Sequence, residues 1–402
     1  MPKTIYLDHA ATTPVDPEVV AAMLPWFSEG FGNPSTVYSL GLTAGKALQA
    51  ARESVAGILA ADADEIVFTS GGTESDNWAL VGALAAKKVG RPHLIVSGIE
   101  HHAVLSTAEH LEKLGGATLT VLPVDSAGLV DPEAVRGAIR PETVLISVMH
   151  VNNEVGTIQP IVDIARIARE SGVPFHTDAV QSAGQLPLNV DQLGVDLLSM
   201  SAHKFYGPKG VGLLYIRKGT RLGRLLHGGG QERNRRAGTH NVPGIVGLAK
   251  ALELATAHMA EEEQRERRLR DRLWTGLEAA IPCIQLNGGF EHRVASNLNF
   301  RLEGIEGEAM ILMMDDKGIC VSSGSACTTG SLDPSHVLLG MGIPAEAAHG
   351  SLRITLGRET TDEDIDYLLE VFPPIVARLR EMSPVWCDRC TLDPQPSCAV
   401  RG

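Results

Sequence analysis

A chain of 402 residues with 44% hydrophobic content can build one large α/β domain with a smaller partner, or two domains. A formal net charge of −13 argues against nucleic acid or an anionic membrane surface as the main partner. No apolar run approaches the ~18 residues that cross a bilayer, and the amino terminus MPKTIYLDHAATTP lacks the pattern of a secretion signal. The six cysteines crowd toward the end and form no disulfide framework, so a cytoplasmic protein with mostly reduced thiols is expected.

In chain order, Asp16-Pro17-Glu18 reads as a helix start, with Asp16 as N-cap and Pro17 at the first helical position. Phe31 to Pro34 must turn, because Pro34 holds Asn33 out of the α region. Residues 42–60 carry helical spacing. An alternation follows. Strands are expected at 65–70, 93–98, 117–124, 143–150 and 174–180, with helices at 74–88, 103–114, 132–139 and 161–171 between them. Short apolar strands alternating with helices predict a largely parallel sheet covered on both faces, with its ligand at the carboxyl ends of the strands. Polar clusters fall at those ends: Gly71-Gly72-Thr73-Glu74, Glu100-His101-His102, Asn152-Asn153-Glu154, Asp178 in TDAVQ, and Ser201-His203-Lys204.

Residues 242–281 read as one long helix, and the charge run EEEQRERRLRDRL in its second half reads as a solvated face. A second domain is expected from about Cys283, with a strand at 293–301, a helix at 307–317 whose Met-rich face is core, a strand at 350–356 and a closing helix at 361–380 capped by Thr360 or Thr361. The domain division expected is an amino-terminal arm, 1–15, belonging to the small domain; a large domain, 16–260; a small domain, 261–382, holding a cysteine loop at 321–335; and a flexible tail, 383–402.

The stretch SMSAHKFYGPKG, Ser199 to Gly210, sets Lys204 between two apolar strands. Burial lowers a lysine pKa and frees the amine for nucleophilic and Schiff-base chemistry, whereas a snorkelling lysine at a strand end would do nothing. Gly71-Gly72-Thr73 before a helix is either a phosphate cradle or a plain strand-to-helix turn. Asp178 follows an apolar strand and needs a cationic partner, which a protonated pyridine nitrogen or an arginine would supply; Gln181 lies within reach of the same ligand. His101 could stack on a flat ring or sit at the surface. A Schiff-base lysine, an acid for the ring nitrogen and a phosphate pocket are together what pyridoxal phosphate requires. A second centre is the uncharged small-residue stretch around Cys327, a loop that would present a thiolate; Cys320 reads as structural. Arg353, in SLRITLG, could hold a carboxylate with its fork or form an ordinary salt bridge.

The chain resembles the NifS/IscS-type cysteine desulfurases, class-V aminotransferase-like enzymes of PLP fold type I. The motifs are YLDHAATTPVD, FGNPS, FTSGGTESDN, EHHAVL, VNNEVGTIQP, HTDAVQ, SAHKFYGPKG, HGGGQERNRRAGT and SSGSACTTGSLDPSHV. GSACTTGSL and AAHGSLR are most similar to the nitrogen-fixation branch. The resemblance implies an α/β fold with a mostly parallel seven-stranded sheet covered by helices, plus a smaller α+β domain. It implies pyridoxal 5′-phosphate as cofactor and conversion of L-cysteine to L-alanine. In that reading Lys204 binds the cofactor and moves the Cα proton, and Cys327 takes the sulfur as a persulfide. Asp178 partners the ring nitrogen, Gln181 the ring hydroxyl, and His101 stacks on the ring as a catalytic residue. Gly72, Thr73, Ser201 and His203 hold the phosphate, with Thr239 donated across a homodimer. Asn153 touches cofactor and substrate, and Asn33 and Arg353 bind substrate. An iron–sulfur scaffold protein is the implied sulfur acceptor, and nitrogenase maturation the implied use, with a housekeeping desulfurase or selenocysteine lyase as alternatives. No metal ligand set is expected beyond contact of the Cys327 persulfide with a cluster. The tail's Cys387-Asp388-Arg389-Cys390 is either a sulfur relay or metal site or a pair of incidental thiols in a flexible end, and the lack of a second pair for a zinc site favours the latter.

Overall fold

The structure is a computed structural model that describes residues 4–86, 90–323, 333–384 and 386. Cys327, Cys387, Cys390 and Cys398 lie outside the described residues. Twelve strands are present among the described residues: β1 (Ile5–Tyr6), β2 (Ile66–Thr69), β3 (His93–Ser97), β4 (Thr118–Leu122), β5 (Thr143–Ser147), β6 (Phe175–Asp178), β7 (Leu197–Ser201), β8 (Gly212–Ile216), β9 (Ile284–Leu286), β10 (Asn297–Leu302), β11 (Ile319–Cys320) and β12 (Ser351–Thr355).

Seven of them form one sheet in the order β2-β8-β7-β6-β5-β3-β4. Only β8 runs against its neighbours; the other four ladders are parallel. Every residue of β2, β3, β5, β6, β7 and β8 is buried. That is why these stretches read as continuous apolar runs: helices cover both faces. Edge strand β4 is only partly covered. The helix Ile161–Glu170 shows the cover in detail, burying Ile161, Ile164, Ala165, Ile167 and Ala168 while Arg166 and Glu170 pair on its outer face. Because β8 is antiparallel to both β2 and β7, the carboxyl ends of β2, β3, β5, β6 and β7 all meet at one edge.

A second core contains Leu298, Phe300, Met310, Met314, Leu352, Ile354, Leu368 and Phe372. It is built on the antiparallel sheet β12-β10-β9 and the closing helix Asp362–Met382. Thr361 caps that helix in a reciprocal box with Asp364. At the other end of the chain, Asp16 Oδ1 accepts the Glu18 amide at 2.8 Å and Pro17 opens the helix. Between them the arm pairs β1 with β11 and runs along β12, the Thr355 amide donating to Leu7 O and Ala10 N to Thr355 Oγ1.

The helix Val242–Ala280 spans 39 residues, roughly 58 Å. Its first half buries Ile245, Leu248 and Leu252 in the large core, its second Leu269, Leu273 and Leu277 in the small one. Here the charge run is a solvated face only in part: Glu263 and Arg267 form an exposed i,i+4 pair. Glu266 and Arg270 are buried, and Glu262, Arg268 and Arg272 pair with Arg358, Asp362 and Asp366. The other part is an ion-paired seam, because the closing helix packs along it. Thiols are also not uniformly free: Cys320 is a free half-buried thiol, whereas Cys283 is disulfide-bonded. No helix among the described residues is long and apolar enough to cross a membrane.

Candidate active site

Lys204 ends a tight turn, Ala202–Lys204, that follows β7. Its Nζ donates to Ala10 O at 2.6 Å and to Ala11 O at 2.8 Å, so the amino-terminal arm lies directly over it. The arm is fastened there. Thr13 N donates to His203 O at 2.9 Å, Thr12 Oγ1 meets His203 Nδ1 at 3.1 Å, and Gln181 Nε2 donates to Ala10 O at 3.0 Å.

Asp178 closes β6 and is 4% exposed. Burial pushes its carboxyl up to about 6, against the opposing pull of the Val180 amide and the Lys204 charge. Behind it stands a polar layer. His176, two residues earlier on the strand, meets Ser147 Oγ at 2.8 Å and Ser199 Oγ at 2.9 Å. Asp76, on the helix Gly72–Ala86, places Oδ1 3.6 Å from His176 Nε2. Burial holds His176 down at about 3, so it is neutral near pH 7, and burial, then the Asp178 charge, raises Asp76 well above its ordinary value. Glu100, after β3, accepts Ser97 Oγ at 2.5 Å and Met149 N at 2.8 Å, and burial lifts it to about 8.

His101 caps the helix His102–Lys113, its Nδ1 accepting the Ala103 amide at 3.1 Å. Burial, then the charges of Lys204, His102 and His336, press its pKa down to about 4. His101 is therefore a neutral ring at pH 7, with its proton on Nε2. Gly71 has φ +155°, and a Cβ on Gly72 would come within 2.7 Å of Val180 Cγ2. A side chain at Gly72 would collide with Val180, so glycine lets the start of the helix pack against the turn after β6, with Ser201 beside it; the N-terminus of a helix favours an anion.

Arg353, on β12, is 3% exposed. Its Nη1 donates to Asn153 O and its Nη2 to Asp8 Oδ1, each at 2.8 Å.

A model of the aminotransferase class-V family matches residues 5–368. The chain belongs to that family. It is 53% identical over 390 residues to the cysteine desulfurase IscS of Clostridium botulinum, covering 96% of this chain and 98% of that protein. A solved structure titled NifS-like protein is 38% identical with a TM-score of 0.88, covering 94% of this chain and all of the other. A second, titled SspA in complex with cysteine, is 39% identical with a TM-score of 0.78 over 88% of this chain and 99% of that one. The chain is thus an enzyme of the cysteine desulfurase group, and the family uses pyridoxal phosphate. The α/β fold expected from the alternation of strands and helices is the one observed.

The sheet edge fits that cofactor. It offers a lysine amine, a buried acid whose ionisation a cationic ring nitrogen would favour, a neutral histidine ring and a helix N-terminus opened by two glycines. Lys204, Asp178, Gln181, His101, His203, Ser201 and Gly72 all lie at this edge, and Thr73 is exposed on the helix's first turn. Asn153 reaches Arg353 through its backbone carbonyl. Asn33 and Thr239 are exposed; Asn33 Oδ1 accepts the Ser35 amide in a local turn. The segment before Thr239 is locked to the large domain by Glu232, which accepts both Arg52 nitrogens, the Phe68 amide and His240 Nε2. Cys327 lies outside the described residues.

Reading the chain strand by strand missed the arm's carbonyls at Ala10 and Ala11, the acid Asp8, and the packing of Asp76 against His176; Glu100 was already among the polar residues at the strand ends. The YLDHAATTPVD motif was the available signal for the arm, but backbone carbonyls carry no residue-type signature. Asp76 and His176 read as a helix residue and a strand residue, and only the packing of one on the other makes them neighbours.

Proposed function

We propose that this enzyme takes sulfur from L-cysteine, releases L-alanine and carries the sulfur on Cys327 as a persulfide for iron–sulfur cluster assembly in the cytoplasm. The observation that carries the reading is the convergence of Lys204, Asp178 and the Gly71-Gly72 turn at one sheet edge, in a chain related to named cysteine desulfurases. When bound, pyridoxal phosphate supplies an electron sink that stabilises negative charge at the substrate Cα. Lys204 would hold its aldehyde carbon and, once released, move the Cα proton. Asp178 would keep the ring nitrogen protonated, with the neutral His176 behind it. His101 would cover the ring and Gln181 its hydroxyl. Gly72, Thr73, Ser201 and His203 would hold the phosphate. Arg353 would hold the substrate carboxylate, with Asn153 and Asn33 beside it. The neighbour titled as a cysteine complex supports the choice of substrate.

A homodimer is supported by an exposed apolar belt, Leu24 (59%), Phe27 (62%), Phe31 (67%) and Val37 (89%), on the same chain as an exposed Thr239 that would complete the partner's phosphate site. The sulfur acceptor proposed is an iron–sulfur scaffold protein. The IscS-named relative favours general cluster supply; the GSACTTGSL and AAHGSLR segments favour a nitrogenase-dedicated role, which growth of a deletion strain with and without fixed nitrogen would separate.

The test is direct. Purified holoenzyme given L-cysteine and a thiol reductant should yield alanine and sulfide in equal amounts, and Cys327→Ser should stop sulfide release while still binding L-cysteine. Full turnover by Cys327→Ser, or pyruvate in place of alanine, would refute the reading.

A further inference from the structure

Arg353 does not wait alone for a carboxylate. A guanidinium has five N–H donors. The observed bonds engage Asn153 O and Asp8 Oδ1, while the Nε–H is buried without a partner. Asp8 and Arg353 are 345 residues apart in sequence and are joined at 2.8 Å, with side chains 17% and 4% exposed. The arm holds Asp8 in place. The Tyr6 hydroxyl donates to Asp8 O at 3.0 Å and to Thr12 O at 2.9 Å, and Asp8 bridges in parallel to Thr355 on β12. A second acid, Glu154, lies close enough to feel the Arg353 charge, but it is buried, its Oε2 accepts Ser335 Oγ at 2.5 Å, and burial pushes it toward its neutral form. Asp8 is therefore the anion that balances Arg353.

We propose that Asp8 is a specificity-determining residue, which makes the Arg353 site electrically neutral so that it accepts zwitterionic α-amino acids and rejects carboxylates that lack an ammonium group. The inference rests on the reading of Arg353 as the substrate-carboxylate residue. A bare carboxylate added to a neutral pair leaves one uncompensated negative charge in a poorly hydrated place, beside the Asp8 carboxylate. Like charges held close together away from water repel, so that carboxylate binds weakly. An amino acid brings its own cation, leaves the total at zero, and can set its ammonium toward the more exposed partner of the pair, Asp8, while its carboxylate takes the free donors of Arg353. A lone arginine would bind any small carboxylate, and the cell holds many; the pair turns a carboxylate receptor into an amino-acid receptor.

Propionate, propionamide and L-cysteine test this on the holoenzyme, by inhibition constants and by ligand-induced rise in Tm. On the wild-type protein propionate should bind no more tightly than uncharged propionamide. A wild-type preference for propionate of about tenfold or more would overturn the proposal. Asp8→Asn should lower the propionate inhibition constant about tenfold, with a smaller change in KM for L-cysteine, so the ratio of the two constants falls. Asp8→Glu should keep the wild-type ratio, and Asp8→Ser repeats the test if Asp8→Asn does not fold. If Asp8→Asn leaves the ratio within about twofold of wild type while Arg353→Lys raises both constants, the role of Asp8 is refuted and that of Arg353 stands. If Arg353→Lys raises neither constant, the carboxylate reading itself fails and takes this inference with it.

Discussion

Two aspartates divide this site. Asp178 is an acid at the end of a buried strand, pushed up to about 6 by burial and eased only in part by the Lys204 charge. Asp8 is an acid on the amino-terminal arm, bonded to Arg353 at 2.8 Å. The first carries a burial cost that the Val180 amide and Lys204 offset only in part, and that a cationic ring would offset further on the proposed reading. The second is a pair that the protein has already balanced. An unmet charge recruits a ligand, and a balanced pair selects among ligands. On the reading proposed above, the sheet edge would hold the cofactor, and the arm and small sheet would choose what reaches it.

That contrast can be broken from either side. The largest effect should come at the sheet edge: Lys204→Ala should lose turnover by about 10⁴-fold or more, because on the proposed reading one amine would both bind the cofactor and move the proton. Steady-state assays and the absorbance of the bound cofactor measure it, and retained turnover would remove Lys204 from the chemistry. Asp178→Asn should cost roughly a hundred- to thousandfold in kcat/KM, the worth of one buried charge partner. In the unaltered protein, Asp178 is ionised above about pH 6 and protonated below it. Cofactor affinity should therefore fall as pH drops through 6, and Asp178→Asn should flatten that limb in a binding titration.

On the substrate side, Arg353→Lys should raise KM for L-cysteine by about ten- to a hundredfold with a smaller change in kcat, since an ammonium cannot reproduce the fork. If kcat falls and KM does not, Arg353 acts on the reaction rather than on binding. The smallest effect on catalysis is expected at the Glu232 lock. Burial there opposes ionisation, but hydrogen bonds from His240 and Arg52 hold the carboxyl down at about 2. Its stabilising contribution is present above the ordinary carboxylate pKa and lost as pH falls toward 2. Glu232→Gln should cost about 2–4 kcal/mol of stability in denaturant melts. It should also weaken cofactor binding about tenfold if Thr239 completes the partner's phosphate site.

Much of the sheet edge was readable from the chain. Lys204, Asp178, His101 and the Gly71-Gly72 turn each follow an apolar run, and a parallel sheet brings the carboxyl ends of its strands to one edge. The charge run in the long helix was read in part: Glu263 and Arg267 form an exposed i,i+4 pair, but i,i+4 spacing does not show that Glu266 and Arg270 are buried. Arg268 and Arg272 find Asp362 only because the closing helix packs against them. Arg353 was legible as an arginine worth noting, and its pairing with Asp8 was not.

By itself the sequence determined the strand ends, the helix starts at Asp16 and Thr361, and the residue types for a lysine, an acid and a cradle. These are local facts, written in periodicity, caps and turns. The tertiary structure alone decided which acid stays short of a partner and which has one. Burial and distance between segments hundreds of residues apart set the electrostatics of a carboxylate, and the spacing of residues along the chain carries neither.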